Sequence, residues 1–170
     1  MGPGDEIALR DGRRVLVRAI APADAPRLQR LFDSLSARSR YQRFFQPMAE
    51  LPPSLLARFI HIDPRRELAL GAACGDEIVA VGRYAPAEAA RGAEFALVVA
   101  DAWQGQGLGR ALLERLCAGA KAAGYAALYG TILNANREML DLAARLGFVP
   151  HGRSGNEITV VRRLEAPWPA

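Results

Sequence analysis

Val98-Val99-Ala100-Asp101-Ala102-Trp103-Gln104-Gly105-Gln106-Gly107-Leu108-Gly109-Arg110 carries an apolar, strand-like run into alternating glycines and then into a helix. From Leu108 onward, Ala111, Leu112 and Leu116 fall on one helical stripe, with Arg110 and Glu114 as a solvent-side pair. The start of such a helix attracts anions. Its first N–H groups have no intrahelical partner, the macrodipole favours negative charge, and glycine removes the Cβ atoms that would keep a phosphate away. The competing reading is a tight connection that needs glycine for geometry alone, and the alternation of the glycines weighs against it. Two other phosphate loops do not fit. A dinucleotide fingerprint starting at Gly105 would need its last glycine at Arg110, and no Gly-Lys-Ser/Thr is present for a P-loop.

Working outward, Ala93 to Val99 reads as the strand before the turn, and Gly124 as the end of the helix after it. Ala126 to Leu133 then reads as a strand. A second helix runs from about Asn136 through Met139, Leu142 and Leu146 to Gly147, and Glu157 to Leu164 is a β-branched closing strand. On the N-terminal side, apolar runs at 67–73 and 78–84 flank Cys74-Gly75-Asp76 as a hairpin. A short helix follows Pro52-Pro53, a longer one carries Leu28, Leu31, Phe32 and Leu35, and a first strand lies near 14–20. The stretch from Ser36 to Phe45 has weak periodicity. A meander followed by strand–helix–strand–helix–strand predicts an α/β fold with a mixed sheet of about six or seven strands and about four helices, in one domain spanning 1–170.

Composition agrees. A chain of 170 residues, 51% hydrophobic and 24% charged, suits one domain with a sizeable core. The net charge of +4 is spread over scattered arginines without interleaved aromatics, so no nucleic-acid partner is expected, whereas a small anionic cofactor is well matched. Cys74 and Cys117 are too few for a disulfide framework or a thiolate metal cage, and no metal is expected. No basic leader, signal-like apolar stretch or bilayer-spanning segment is visible, which predicts a cytoplasmic protein with no membrane partner.

The turn resembles the Gln/Arg-x-x-Gly-x-Gly/Ala signature of the GNAT family of N-acetyltransferases, here Gln104, Gly107 and Gly109. Asn134-Ala135-Asn136, Met139, Leu142 and Leu146-Gly147-Phe148 resemble that family's second CoA-contacting segment, with Met139 at an alanine position. A closer likeness is to the acetyltransferase domains of bacterial protein lysine acetyltransferases. It is carried by Arg10-Asp11-Gly12, Leu35 to Phe45, Ala93-Glu94-Phe95-Ala96 and Leu133 to Met139. Some of those are fused to acyl-CoA-synthetase-like or cyclic-nucleotide-binding modules; none is expected within these residues.

The resemblance implies a GNAT fold and acetyl-CoA as cosubstrate. The pyrophosphate would lie on Gln104, Gly105, Gln106, Gly107, Leu108, Gly109 and Arg110, with Asn134 and Asn136 from the second segment. Pantetheine would lie where two strands splay apart, bonded to main-chain groups of Leu97, Val98 and Val99, with a backbone N–H polarising the thioester carbonyl. The expected acceptor is a protein lysine, with a small amine as the alternative. A lysine ammonium, with a pKa of about 10.4, has no lone pair and needs a base.

Glu94 is the candidate base, a lone carboxylate on an apolar strand whose partial burial would raise its pKa. A strand residue facing solvent is the alternative, and the matching glutamate of the lysine acetyltransferases favours the base. Where many members carry a tyrosine that protonates the leaving thiolate, this sequence has Ala143, which leaves water, the acceptor's own proton, Tyr129 or Tyr84. Neither cysteine lies near the motifs, so direct transfer is expected. A catalytically silent acyl-CoA-sensing module is the reading from outside enzymology.

Overall fold

The computed structural model describes residues 4–87 and 92–164; the expected leaderless start at 1–3, residues 88–91 and the apolar tail at 165–170 lie outside the described residues. Alternation builds the sheet. In β2 (Arg14–Ala19), Val15 and Val17 are buried while Arg14 and Leu16 are exposed. The strands β1 (Asp5–Ala8), β2, β3 (Leu68–Cys74), β4 (Glu77–Pro86), β5 (Gly92–Val99), β6 (Ala127–Leu133), β8 (Glu157–Arg163) and β7 (Val149–Ser154) stand side by side in that order. Every neighbouring pair is antiparallel except β5 and β6. A parallel pair needs a crossover, and helix α4 (Leu108–Ala122) supplies it.

Two layers cover the sheet. On one face α4 buries Leu108, Leu112, Leu113 and Leu116, each no more than 1% exposed, against Tyr84, Phe95, Leu128 and Val160. Burying such a side chain is worth about 1.5–3 kcal/mol before entropy is counted, so this helix anchors the crossover. Helix α5 (Arg137–Arg145) adds Ala143 to the same core. On the other face α1 (Ala25–Ser34) sets Leu28 and Leu31 against Ile20, Ala69 and Ile78, with Leu56, Phe59 and Ile60 of α3 (Pro53–Ile60) beside them. Between them lies α2 (Ala37–Phe44), capped at its start by the Ser36 side chain, which accepts from the Ser39 N–H at 3.2 Å.

The described residues thus hold eight strands and five α-helices, a little more than the expected six or seven and four. The additions, β1, α2 and β7, are elements without a hydrophobic period. In α2 only Ser39 is buried, and every residue of β7 is exposed along an edge that contains Pro150 and a register shift before Gly152.

One irregularity positions the site. Pairing of β5 with β6 covers only Gly92↔Ala127 through Phe95↔Gly130, although the strands continue to Val99 and Leu133. Beyond Phe95 the two strands part, while β5 stays paired to β4 along Ala80↔Val99 through Pro86↔Ala93. The β6-facing side of the Ala96–Val99 backbone is therefore open.

Candidate active site

At the end of β5 the chain makes a short 3-10 turn, Asp101–Trp103, and then the glycine turn. Gly105 and Gly107 have φ of 73° and 91°, so both are glycine for conformational reasons. Gly109 is different. Its backbone is helical, and a methyl group there would make ordinary contacts with Leu142 and Leu97 at 3.4 and 3.5 Å. Local geometry does not require glycine at 109. Gly107 is the N-cap of α4 and no side chain caps it, so the leading N–H groups, at Leu108, Gly109 and Arg110, keep their donors free.

The turn is held from both sides. Gln104 donates to the Val99 carbonyl at 3.0 Å and to Ser39 Oγ at 3.2 Å, while Arg13 donates to the Ala102 carbonyl at 3.0 Å and stacks 3.7 Å from the Trp103 ring centre. Asp101 ties the turn to α2, accepting from the Ser36 N–H and Oγ at 3.0 and 2.7 Å and from Ser39 Oγ at 3.0 Å. Burial works against the charged Asp101 carboxylate, but the bonds from Ser36 and Ser39 outweigh it and hold the carboxyl below its usual range.

A cleft of about 640 Å³ runs from this turn along the gap between β5 and β6. At the turn end it is walled by Gln104, Gly105, Gly107, Gly109 and Arg110, with Asn136, Met139 and Leu142 from the α5 side. Along the gap follow Leu97, Val98 and Val99. At the far end stand Glu94, Thr131, Phe44, Phe45, Phe59 and the arginines 43, 58 and 83. Asn136 caps α5 by accepting from the Met139 N–H at 3.2 Å.

Other expected residues fall elsewhere. Leu108 is 1% exposed in the core, so only its backbone can serve a ligand, and Gln106 does not line the cleft. Asn134 also lies off the cleft wall, its N–H bonded to the Asn156 carbonyl at 2.7 Å. Arg110 lines the cleft but its guanidinium is paired with Glu114 at 2.8 Å.

Glu94 lines the cleft and accepts from Thr131 Oγ1 at 3.0 Å. It is exposed, so the partial burial expected from its apolar strand is absent. Strand alternation explains this: Ala93 and Phe95 point into the α4 core, so Glu94 points to the opposite face. Of the alternative proton donors, Tyr84 is buried in the α4 core with its ring against Tyr125, and desolvation raises its pKa. Tyr129 stacks edge-on to His151 at 5.7 Å, and neither tyrosine lines the cleft. Ala143 is fully buried. Tyr41 is exposed and outside the cleft, whereas Phe44 and Phe45 line it.

The far wall also contains Arg58 and Arg83, which sequence reasoning passed over. Arg83 sits on β4 opposite Ala96, one pleat from Glu94, and pairs with Glu67 at 3.2 Å. Arg43 of α2 lies over Phe44 and Phe59, and Arg83 also lies over Phe59. The available signal was a charged residue inside the apolar run 78–84.

Among the described residues no three His, Cys, Asp or Glu cluster as metal ligands, and no helix is long and apolar enough to cross a membrane. A family model described as Acetyltransferase (GNAT) family matches residues 28–148. An acetyltransferase of Pseudomonas aeruginosa is 32% identical over 161 residues, covering 92% of this chain and 87% of the relative. The solved GNAT domain of S. lividans PAT superposes with a TM-score of 0.88 at 31% identity, covering 94% of this chain and 96% of that one. The structure of yncA from Salmonella typhimurium with its cofactor acetyl-CoA gives a TM-score of 0.75 at 19% identity, with 92% and 97% covered.

Proposed function

This chain belongs to the acetyltransferase (GNAT) family, and on that premise we propose that it transfers the acetyl group of acetyl-CoA to a lysine amine of another protein, with Glu94 taking the amine's proton. The observation that carries this reading is a single cleft joining an uncapped helix start to a carboxylate through a gap between two strands. The residues fit the cosubstrate. The leading N–H groups of α4 offer donors for a pyrophosphate, and Gly107 and Gly109 place no side chain beside them. The open edge at Leu97, Val98 and Val99 offers main-chain partners for pantetheine, although the Val99 carbonyl is already engaged by Gln104.

Acetyl-CoA supplies the acyl group as a thioester. Glu94, reached from the cleft, accepts the acceptor proton directly or through a water, while Thr131 orients its carboxylate. With Tyr84 and Tyr129 off the cleft, the departing thiolate takes its proton from water or from the acceptor. The Ser36–Ser39–Asp101–Gln104 chain holds the acceptor wall on α2 in register with the cofactor turn.

Two findings favour a protein acceptor. Two stretches that carry the likeness to protein lysine acetyltransferases, Leu35 to Phe45 and Ala93 to Ala96, contribute Arg43, Phe44, Phe45 and Glu94 to the cleft, and Glu94 is exposed. The test is incubation with lysate and labelled acetyl-CoA, read by mass spectrometry alongside thiol release. Labelled lysines with matching CoA release are expected. Turnover of free small amines with no labelled protein would overturn the protein acceptor, and thiol release with no acetylated amine would overturn the transfer itself.

A further inference from the structure

The far wall of the cleft has more positive charge than the acetyl transfer requires. Arg43, Arg58 and Arg83 all line it, against Glu94 on the wall and Glu67 behind it. Glu67 is occupied by Arg83, and Glu94 is held by Thr131. Arg43 and Arg58 are left over: among the described residues neither guanidinium makes a hydrogen bond or an ion pair, and that of Arg43 rests on the faces of Phe44 and Phe59 at 4.8 and 5.5 Å. Desolvation, then the nearby charge of Arg83, lower the pKa of Arg43 to about 10, with Glu94 acting in the other direction, so it stays charged at neutral pH. Arg43 is half-buried; its guanidinium lies on aromatic rings at the cleft wall without a counter-ion, and an anion entering the cleft can pair with it.

A lone ammonium entering this wall meets repulsion from three guanidinium groups. That repulsion favours the neutral, nucleophilic form of the amine but opposes its arrival. An acceptor that brings its own negative charge offsets that repulsion.

We propose that the acceptor carries an anionic group close to its reactive amine, and that Arg43, backed by Arg83, receives this group on the wall formed by α2 and α3. The inference rests on the reading of the cleft as an amine acetyltransferase site and adds the substrate's charge to it. A carboxylate is the chemistry that a planar guanidinium binds best, in two parallel hydrogen bonds. Its source is either an acidic side chain next to a target lysine or the main-chain carboxylate of a free amino acid.

The experiment pairs acceptors that differ only in that charge: lysine peptides with Glu or Gln beside the lysine, and free amino acids with their amides. Wild type should prefer the charged member by about tenfold or more in kcat/KM, through KM, and the pair that responds identifies the source. Arg43→Gln should erase the preference while leaving acetyl-CoA affinity nearly unchanged, and Arg43→Lys should retain part of it. A CoA thermal shift equal to wild type confirms that the variants are folded.

No preference in wild type, or a preference that survives in Arg43→Gln, would overturn the proposal. Calorimetric titration of each acceptor into the CoA-loaded protein separates it from the reading beneath it. If no amine is acetylated, that reading fails, while tighter binding of the charged member, lost in Arg43→Gln, still supports the anion subsite and its absence refutes it.

Discussion

Glu94 stands at the surface of the cleft, one pleat from Arg83 and bonded to Thr131, so its candidacy as a base rests on position. The change Glu94→Gln keeps shape and the Thr131 bond but removes the proton acceptor. It should lower kcat by roughly 10²- to 10⁴-fold with acetyl-CoA affinity unchanged, and part of the rate should return at high pH, where the amine deprotonates unaided. Wild-type kcat at neutral pH, with chemistry limiting, would make Glu94 a strand residue only. Gly109 tests the other end. Because a methyl group there meets only ordinary contacts at an ordinary helical φ, Gly109→Ala should leave stability within about 0.5 kcal/mol of wild type. It should nevertheless weaken CoA binding about tenfold, since the added Cβ fills the approach to the helix start. Calorimetry and urea unfolding on one preparation measure both, and undiminished affinity would move the cofactor away from this turn.

At the scale of elements, the connection between α2 and the cofactor turn carries the most consequence. Asp101 holds Ser36 and Ser39 at the start of α2, and Gln104 reaches the same Ser39. Asp101→Ala removes three accepted hydrogen bonds and should cost about 1–2 kcal/mol, with the acceptor's KM rising more than that of acetyl-CoA because α2 carries Arg43, Phe44 and Phe45. Equal changes in both KM values would show that α2 is not a separate acceptor wall. The strand–glycine turn–helix unit was legible because its periods and its glycines are local signals. Helix α2 was not, since its one buried residue is a serine and Arg40 folds back over the Phe32 ring at 4.4 Å. Strand β7 has no buried residue to make an alternation, and pairing with β8 alone defines it.

For the whole molecule, the ion pairs of Asp24 with Arg18 of β2 and Arg27 of α1 join the sheet to the first helix. Asp24 is 2% exposed and accepts from Arg18 at 2.7 and 2.8 Å and from the Ala21 N–H at 2.9 Å. The Arg18 hydrogen bonds, against the opposing effect of burial, hold its carboxyl below the usual range. With a folded-state pKa below the unfolded value of about 3.9, its stabilisation is complete above that value and is lost as pH falls through the folded one. Asp24→Asn should therefore destabilise by roughly 2–4 kcal/mol near neutrality, with the gap from wild type closing below about pH 4 in urea titrations. A gap independent of pH would mean that packing, not charge, sets the cost.

The cofactor half of the cleft could be read from one continuous stretch. The far wall could not, because Arg43, Phe59 and Arg83 come from three separate segments and meet only when α2 and α3 fold over β4. The parting of β5 from β6 is a backbone event that side-chain patterns do not encode, so only family resemblance anticipated it. The most direct measurement is a crystal structure of this protein with CoA. The account predicts the pyrophosphate on the N–H groups of Leu108, Gly109 and Arg110, pantetheine in the gap beside Leu97 to Val99, and the thiol pointing toward the half of the cleft that contains Glu94. CoA bound outside the gap, or with its thiol turned away from Glu94, would contradict it.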